Sequence, residues 1–224
     1  MPSRPALLTF DVYGTVLDWR AGLRASLAVR GVPLGEGDFD RLVDRQGALE
    51  REGPVLPYRE ITARSLIEVL GLGPGDAEAV AREVGAWPAY PDSRPALLRL
   101  MRRARCAALT NSDRAHGEQV QARLGFRLDH WLSAEEAGVY KPDPAFWRAL
   151  ALRTGAALGP AWWHVSAYAD YDLGVARSLG LTTVLVGRPH RRQGPADLVV
   201  PDLLALAEVV DRLSPRAEPE WGNG

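Results

Sequence analysis

Lysine is almost missing from this chain: of 27 basic residues 26 are arginine and one, Lys141, is lysine. A composition so biased against the ammonium group has kept it at one position. That position is a candidate for chemistry that a planar guanidinium fork cannot perform. Cysteine is also single, so no internal disulfide can form, which fits a reducing compartment. Cys106 lies in the apolar stretch CAALT (106–110) and reads as a buried, inert thiol. Four histidines, His116, His130, His164 and His190, are scattered without metal-ligand spacing, and His164 reads as a packed strand residue. No apolar run approaches the ~20 residues of a membrane span, and no basic segment followed by a long apolar stretch opens the chain. The net charge is only −1, without the basic stripe that nucleic acid or an anionic membrane rewards. The short clusters MRRAR (101–105) and RPHRR (188–192) read as solvated surface. These absences lead to the expectation of a soluble, cytoplasmic protein with neither nucleic acid nor membrane as partner.

What is present is an alternation. Short apolar runs read as strands buried on both faces: ALLTF (6–10), CAALT (106–110), WWHVS (162–166), TTVLV (182–186) and DLVV (197–200). Stretches of helical period separate them, at 93–104, 114–124, 144–153, 172–179 and 202–213. The expected fold class is therefore α/β, a doubly wound parallel sheet with a Rossmann-like core. One interval breaks the rhythm. After the first strand the next clear one arrives some 95 residues later, and helical period fills the gap at 20–30, 38–51, 57–70 and 75–87. A simple crossover needs far fewer residues. Residues 17–90 are expected to form an inserted helical cap, with 1–16 and 91–224 as the catalytic core and WPAYPDSRP (87–95) as the returning hinge. The polar tail SPRAEPEWGNG (214–224) is expected to fray.

In an open parallel sheet the site lies beyond the C-terminal ends of the strands. The polar residues there are Asp11, Thr15, Thr110, Asn111, Lys141, Ser166 and Asp172. Each alone is an ordinary turn or cap residue. Their occurrence together, all at strand ends, points to one site.

FDVYGTV (10–16), LTNS (109–112), YKPDPAFW (140–147) and HVSAYADYDLGVARSLGL (164–181) resemble, in that order, the four motifs of the haloacid dehalogenase superfamily. The resemblance covers the whole chain and includes a cap inserted after the first strand. Magnesium-dependent phosphatases of that superfamily carry a second aspartate two residues after the nucleophile, where this chain has Tyr13. They carry a metal-binding aspartate at the start of the fourth motif, where this chain has Ala167. Magnesium wants hard oxygen ligands, so the resemblance implies no metal and no cofactor. Tyr at position 13 is the pattern of the 2-haloacid dehalogenases, and VDRQGALERE (43–52) is similar to the cap helix whose arginine, here Arg45, faces the leaving halide.

That branch implies a hydrolase acting on carbon–halide bonds. The Asp11 carboxylate attacks the α-carbon of a small 2-haloalkanoic acid, and water hydrolyses the resulting aspartyl ester. Halide needs no proton to leave, so Tyr13 in place of an acid is no loss. Lys141 is expected to hold Asp11 ionised. Thr110, Asn111 and the backbone amides after the first strand are expected to bind the substrate carboxylate or the ester carbonyl, and Asp172 to orient or activate the hydrolytic water. The implied substrate-binding set is Tyr13, Thr15, Arg45, Thr110, Asn111, Trp147, Ser166 and Tyr168. Trp147 stands where the dehalogenases have tyrosine, and Tyr168 is the nearest match to their asparagine. The expected partners are a small carboxylate substrate and halide, with a homodimer as a further expectation. Two rivals stay open: a magnesium phosphatase using Asp11, the Tyr13 carbonyl and Asp170 or Asp172, and a non-catalytic binding protein on the same fold.

Overall fold

The computed structural model describes residues 3–52, 55–189, 192 and 194–213; the expected fraying tail and His190 lie outside the described residues. The chain runs through β1 (Leu7–Phe10), α1 (Trp19–Ala28), α2 (Glu36–Arg51), α3 (Tyr58–Leu70), α4 (Pro74–Glu83), a 3-10 turn (Val84–Ala86) and α5 (Ser93–Leu100). Then follow β2 (Arg105–Thr110), α6 (Arg114–Leu124), β3 (His130–Ser133), α7 (Ala134–Ala137) and α8 (Ala145–Thr154). The last part is β4 (Trp162–Ser166), a π-turn (Ala169–Leu173), α9 (Gly174–Ser178), β5 (Thr182–Val186), β6 (Leu198–Val200) and α10 (Leu203–Leu213).

The strands form one parallel sheet in the order β3-β2-β1-β4-β5-β6. The chain winds outward from β1 in one direction and then in the other. β1 therefore has β2 and β4 as neighbours, and a crevice opens at the reversal beyond their C-terminal ends. The apolar strand runs alternate between the faces. Leu7, Ala107, Leu109 and Trp162 face one way, into a cluster with Phe146, Trp147 and Leu150 of α8. Leu8, Phe10, Cys106, Ala108, Trp163 and Val165 face the other, against α5, α6 and α10. Both faces are buried, as a parallel sheet requires.

β3 was not expected. Its four residues, HWLS, offer no apolar run, and its pairing with β2 rather than its composition makes it a strand. The fourth motif also differs from expectation. In place of a helix from 172, a π-turn precedes the short α9, a local widening that tends to accompany functional sites.

The four helices between β1 and α5 do not stand apart. Trp19, Leu23 and Leu27 of α1, Phe39, Leu42 and Leu49 of α2, Ile61 and Leu66 of α3 and Val80 of α4 belong to the cluster that covers the first sheet face. The two connections are tied together: Leu17 bridges Ala89, Asp18 N–H donates to the Pro88 carbonyl at 2.8 Å, and Tyr90 N–H to that of Val16 at 3.0 Å. Below this neck the Arg188 guanidinium holds Asp92 through two bonds of 2.9 and 2.8 Å and stacks on Tyr90. The cluster RPHRR is thus not simply solvated surface: the Arg188 side chain is only 6% exposed.

Candidate active site

Asp11 follows β1 at the sheet reversal, and Thr15 lies one turn further on. Thr15 Oγ1 donates to Asp11 Oδ2 at 2.7 Å and accepts from the Ala167 N–H at 2.9 Å. The other oxygen, Asp11 Oδ1, accepts from Lys141 Nζ at 2.9 Å, and the same ammonium donates to Asp172 Oδ2 at 3.0 Å. Lys141 and Asp172 are wholly enclosed. The lysine crosses to Asp11 because its loop is held by Asn111, whose Oδ1 accepts from the Lys141 N–H at 2.8 Å and whose Nδ2 donates to the Lys141 carbonyl at 3.0 Å.

Behind Asp172 runs a chain of hydrogen bonds. The Trp162 indole N–H donates to Thr9 Oγ1 at 2.8 Å, Thr9 Oγ1 meets His164 Nδ1 at 2.8 Å, and His164 Nε2 meets Asp172 Oδ1 at 2.9 Å. An indole can only donate and a carboxylate can only accept. The ionised Asp172 therefore requires a proton on His164 Nε2, while the Thr9 hydroxyl, which accepts from Trp162, has His164 Nδ1 at 2.8 Å and the Trp163 carbonyl at 3.4 Å as its acceptors. Trp147 lies edge-on to the His164 ring at 5.4 Å.

The electrostatics follow from this enclosure. Burial alone would raise Asp172, but the Lys141 ammonium and then His164 hold it well below the usual carboxylate range. Lys141 is raised: its two carboxylates outweigh its burial. Asp11 lies above its ordinary value, pushed up by burial and by Asp172 and opposed by Lys141 and Thr15.

Over Asp11 opens a cleft of about 450 Å³. Its core side is formed by Asp11, Tyr13, Asn111, Lys141, Tyr168 and Tyr171, and its helical side by Trp19, Leu42, Glu50, Tyr58, Thr62 and Trp87, among others. Tyr13 stacks on Tyr58, with ring centres 5.9 Å apart, and the Tyr168 hydroxyl accepts from the Trp19 indole at 2.9 Å. At the mouth Arg192 pairs with Asp170 at 2.9 Å and with Asp44 of α2 at 2.5 Å.

The structure thus brings Asp11, Tyr13, Thr15, Asn111, Lys141, Tyr168 and Asp172 to one place, and several expected roles change. Arg45 is directed away from the cleft, where Glu52 and Glu68 hold it. Trp147 is fully buried beneath the sheet. It packs in the layer behind Asp172 and does not border the cleft. Thr110 and Ser166 are also fully buried and off the cleft wall; Ser166 Oγ accepts from the Tyr168 N–H at 3.1 Å, while Thr110 Oγ1 has no partner among the described residues. Asp172 has both oxygens occupied and no cleft exposure, so it holds Lys141 rather than meeting water directly. The amides of Gly14 to Leu17 are occupied within their own turn. Sequence reasoning missed Glu50, Arg51, Tyr171 and Arg192, all of which border the cleft. Only the fold distinguishes them from other polar residues.

The donor set does not fit magnesium. The two buried carboxylates share an ammonium, Asp170 is engaged by Arg192, and Tyr13 and Ala167 bring no acid. Among the described residues no group of three His, Cys, Asp or Glu could hold a metal, and no helix is long and apolar enough to cross a membrane.

The fold is shared with solved structures. A defluorinating L-2-haloacid dehalogenase matches at 22% identity over 94% of this chain and 100% of that one, with a TM-score of 0.79. The L-2-haloacid dehalogenase of Xanthobacter autotrophicus with covalently bound chloropropionic acid matches at 19% identity, over 94% and 100%, with a TM-score of 0.79. The Bacillus subtilis protein YfnB, bound to magnesium, matches at 16% identity over 93% and 100%, with a TM-score of 0.76. No curated protein sequence matches the chain. The sequence model of the haloacid dehalogenase-like hydrolases matches residues 5–162. The chain therefore belongs to the haloacid dehalogenase-like hydrolase family.

Proposed function

We propose that this hydrolase cleaves the carbon–halogen bond of a 2-haloalkanoic acid through an ester on Asp11, without a metal. The observation that carries the reading is the enclosure of Lys141 Nζ between Asp11 at 2.9 Å and Asp172 at 3.0 Å, while the positions that carry further acids in the phosphatases are Tyr13 and Ala167. An ammonium there neutralises the nucleophile's surroundings and fixes its direction, but cannot bridge to a phosphoryl group as a divalent ion does. Asp11 attacks C2, the carbon–halogen bond breaks, and halide leaves with the electron pair. Water then attacks the ester carbonyl, and the alkyl oxygen departs with one of its protons as a 2-hydroxy acid. The other proton is released to solvent, and Asp11 is restored as a carboxylate.

The charge needed opposite the departing halide falls to Arg51 rather than Arg45. Arg51 borders the cleft and, among the described residues, has no acidic partner. Support for the phosphatase alternative is weaker, because its remaining candidate ligand, Asp170, is already paired. Halide release and phosphate release, each with and without chelator, test the reading. Halide release insensitive to chelator is expected; phosphate release abolished by chelator would replace this reading with the phosphatase.

A further inference from the structure

Glu50 is a carboxyl that the mechanism above does not use. It projects from α2 into the cleft, and its Oε2 accepts from Asn111 Nδ2 at 3.1 Å, the same amide that holds the Lys141 backbone. Its other oxygen, Oε1, has no protein partner among the described residues. The groups facing it are Lys141 and Asn111 from the core loops, Arg51 beside it on α2, Tyr58 of α3, Tyr140, and Tyr171 of the π-turn.

The charges around the cleft leave little room for another anion. Lys141 is shared between Asp11 and Asp172, and Arg192 between Asp44 and Asp170, so each paired cation already serves two carboxylates. Arg51 is the one cation of the cleft wall without an acid, among the described residues. An ionised Glu50 would face a substrate carboxylate at close range, where like charges repel.

We propose that Glu50 is the residue that recognises the substrate's carboxylate: Oε1 carries a proton and donates it in a hydrogen bond to that anion, while Asn111 holds Oε2. This rests on the haloacid reading of the site and adds to it a specificity residue on the helical side. Burial supports the protonated form, raising this carboxyl to about 8 against the smaller pull of Asn111, Lys141 and Arg51. A hydrogen bond from a neutral acid to a carboxylate is charge-assisted and short. Deprotonation removes the donor and adds repulsion in one step.

The test is calorimetric binding of lactate, a 2-hydroxy acid that needs no turnover, to the full chain from about pH 6 to 9.5. Wild type is expected to bind with constant affinity at low pH and to lose about tenfold per unit above the Glu50 midpoint. Glu50→Gln, which keeps a donor and cannot ionise, is expected to bind as wild type does at low pH and to stay flat. Flat wild-type binding, or a Glu50→Gln variant that keeps the fall, would overturn the proposal alone. Lactate that binds at no pH would overturn the haloacid reading and the proposal with it. Carbon-13 NMR of labelled glutamate supplies a ligand-free check: a Glu50 carboxyl ionised at neutral pH overturns the proposal whatever the enzyme's substrate.

Discussion

Lys141 is the side chain on which most of the site depends. Removing its charge would leave Asp11 and Asp172 buried without compensation, so Lys141→Ala is expected to cost roughly 3–5 kcal/mol of stability as well as activity. Lys141→Arg keeps the charge, but the fork cannot occupy the ammonium's place between two carboxylates 2.9 and 3.0 Å away. Most halide release should be lost in that variant; near-normal rates would make the lone lysine a compositional accident. Asp172 contributes to the acid limit. Its folded value lies below its unfolded one, so its contribution is present above about pH 4 and disappears as pH falls through the folded value. Acid unfolding of Asp172→Asn should lose that dependence. Asp11→Asn should stop turnover with the fold intact, and single turnover in heavy-oxygen water should label Asp11 in wild type. Nitrogen-15 NMR should find the His164 proton on Nε2, since the opposite tautomer would break the run from the Trp162 indole to Asp172.

Between elements, two contacts help to shape the helical wall of the cleft. Asp113, at the start of α6, accepts from the Tyr58 and Arg59 N–H groups at 2.6 and 3.1 Å, capping α3 from the core side. Asp113→Ala should cost at least the ~1 kcal/mol of an ordinary cap and should loosen the helical wall, seen as a lower urea midpoint and a raised KM. Gly22 of α1 lies against Trp87, where an added Cβ would come within 2.2 Å of the ring. Gly22→Ala must therefore displace a cleft-lining indole. The phase of α2 assigns the arginines. Successive helical residues turn by about 100°, so Arg45 and Gly47 point to nearly opposite sides, and Gly47, Glu50 and Arg51 line the cleft. Arg51→Ala should slow ester formation by roughly 10-fold to 100-fold and ester hydrolysis little. Arg45→Ala should leave both steps alone, and an Arg45 effect confined to the first step would show that α2 rotates in the working enzyme.

As a molecule, the protein encloses its chemistry by sharing one apolar cluster between the sheet and the inserted helices. Continuity of that kind makes the two parts unfold as one. A single denaturant transition is expected, with Trp19 or Trp87 fluorescence and far-ultraviolet dichroism coinciding. Two separated transitions would mean that residues 17–90 are an independent unit. Below the neck, Arg188, Asp92 and the Leu203 N–H tie the connection to the far helix α10, so the base of the cleft is braced from both faces of the sheet.

The alternation of apolar runs was enough to establish a parallel α/β sheet, because strands buried on both faces have few alternatives to continuous hydrophobicity. Asp11, Asn111 and Lys141 were legible as well, since parallel topology sends strand ends to one side and the sole lysine stands out from 26 arginines. The edge strand β3 was not, because four mixed residues become a strand only when β2 offers its hydrogen bonds. Nor could the chain alone distinguish Arg45 from Arg51, or a cleft-lining Trp147 from a buried one. Those choices depend on which side of a helix meets the sheet and which meets the cleft. Motif spacing along a chain does not contain that rotation; packing of the whole cluster decides it, and it sends Arg45 outward and Glu50 into the site.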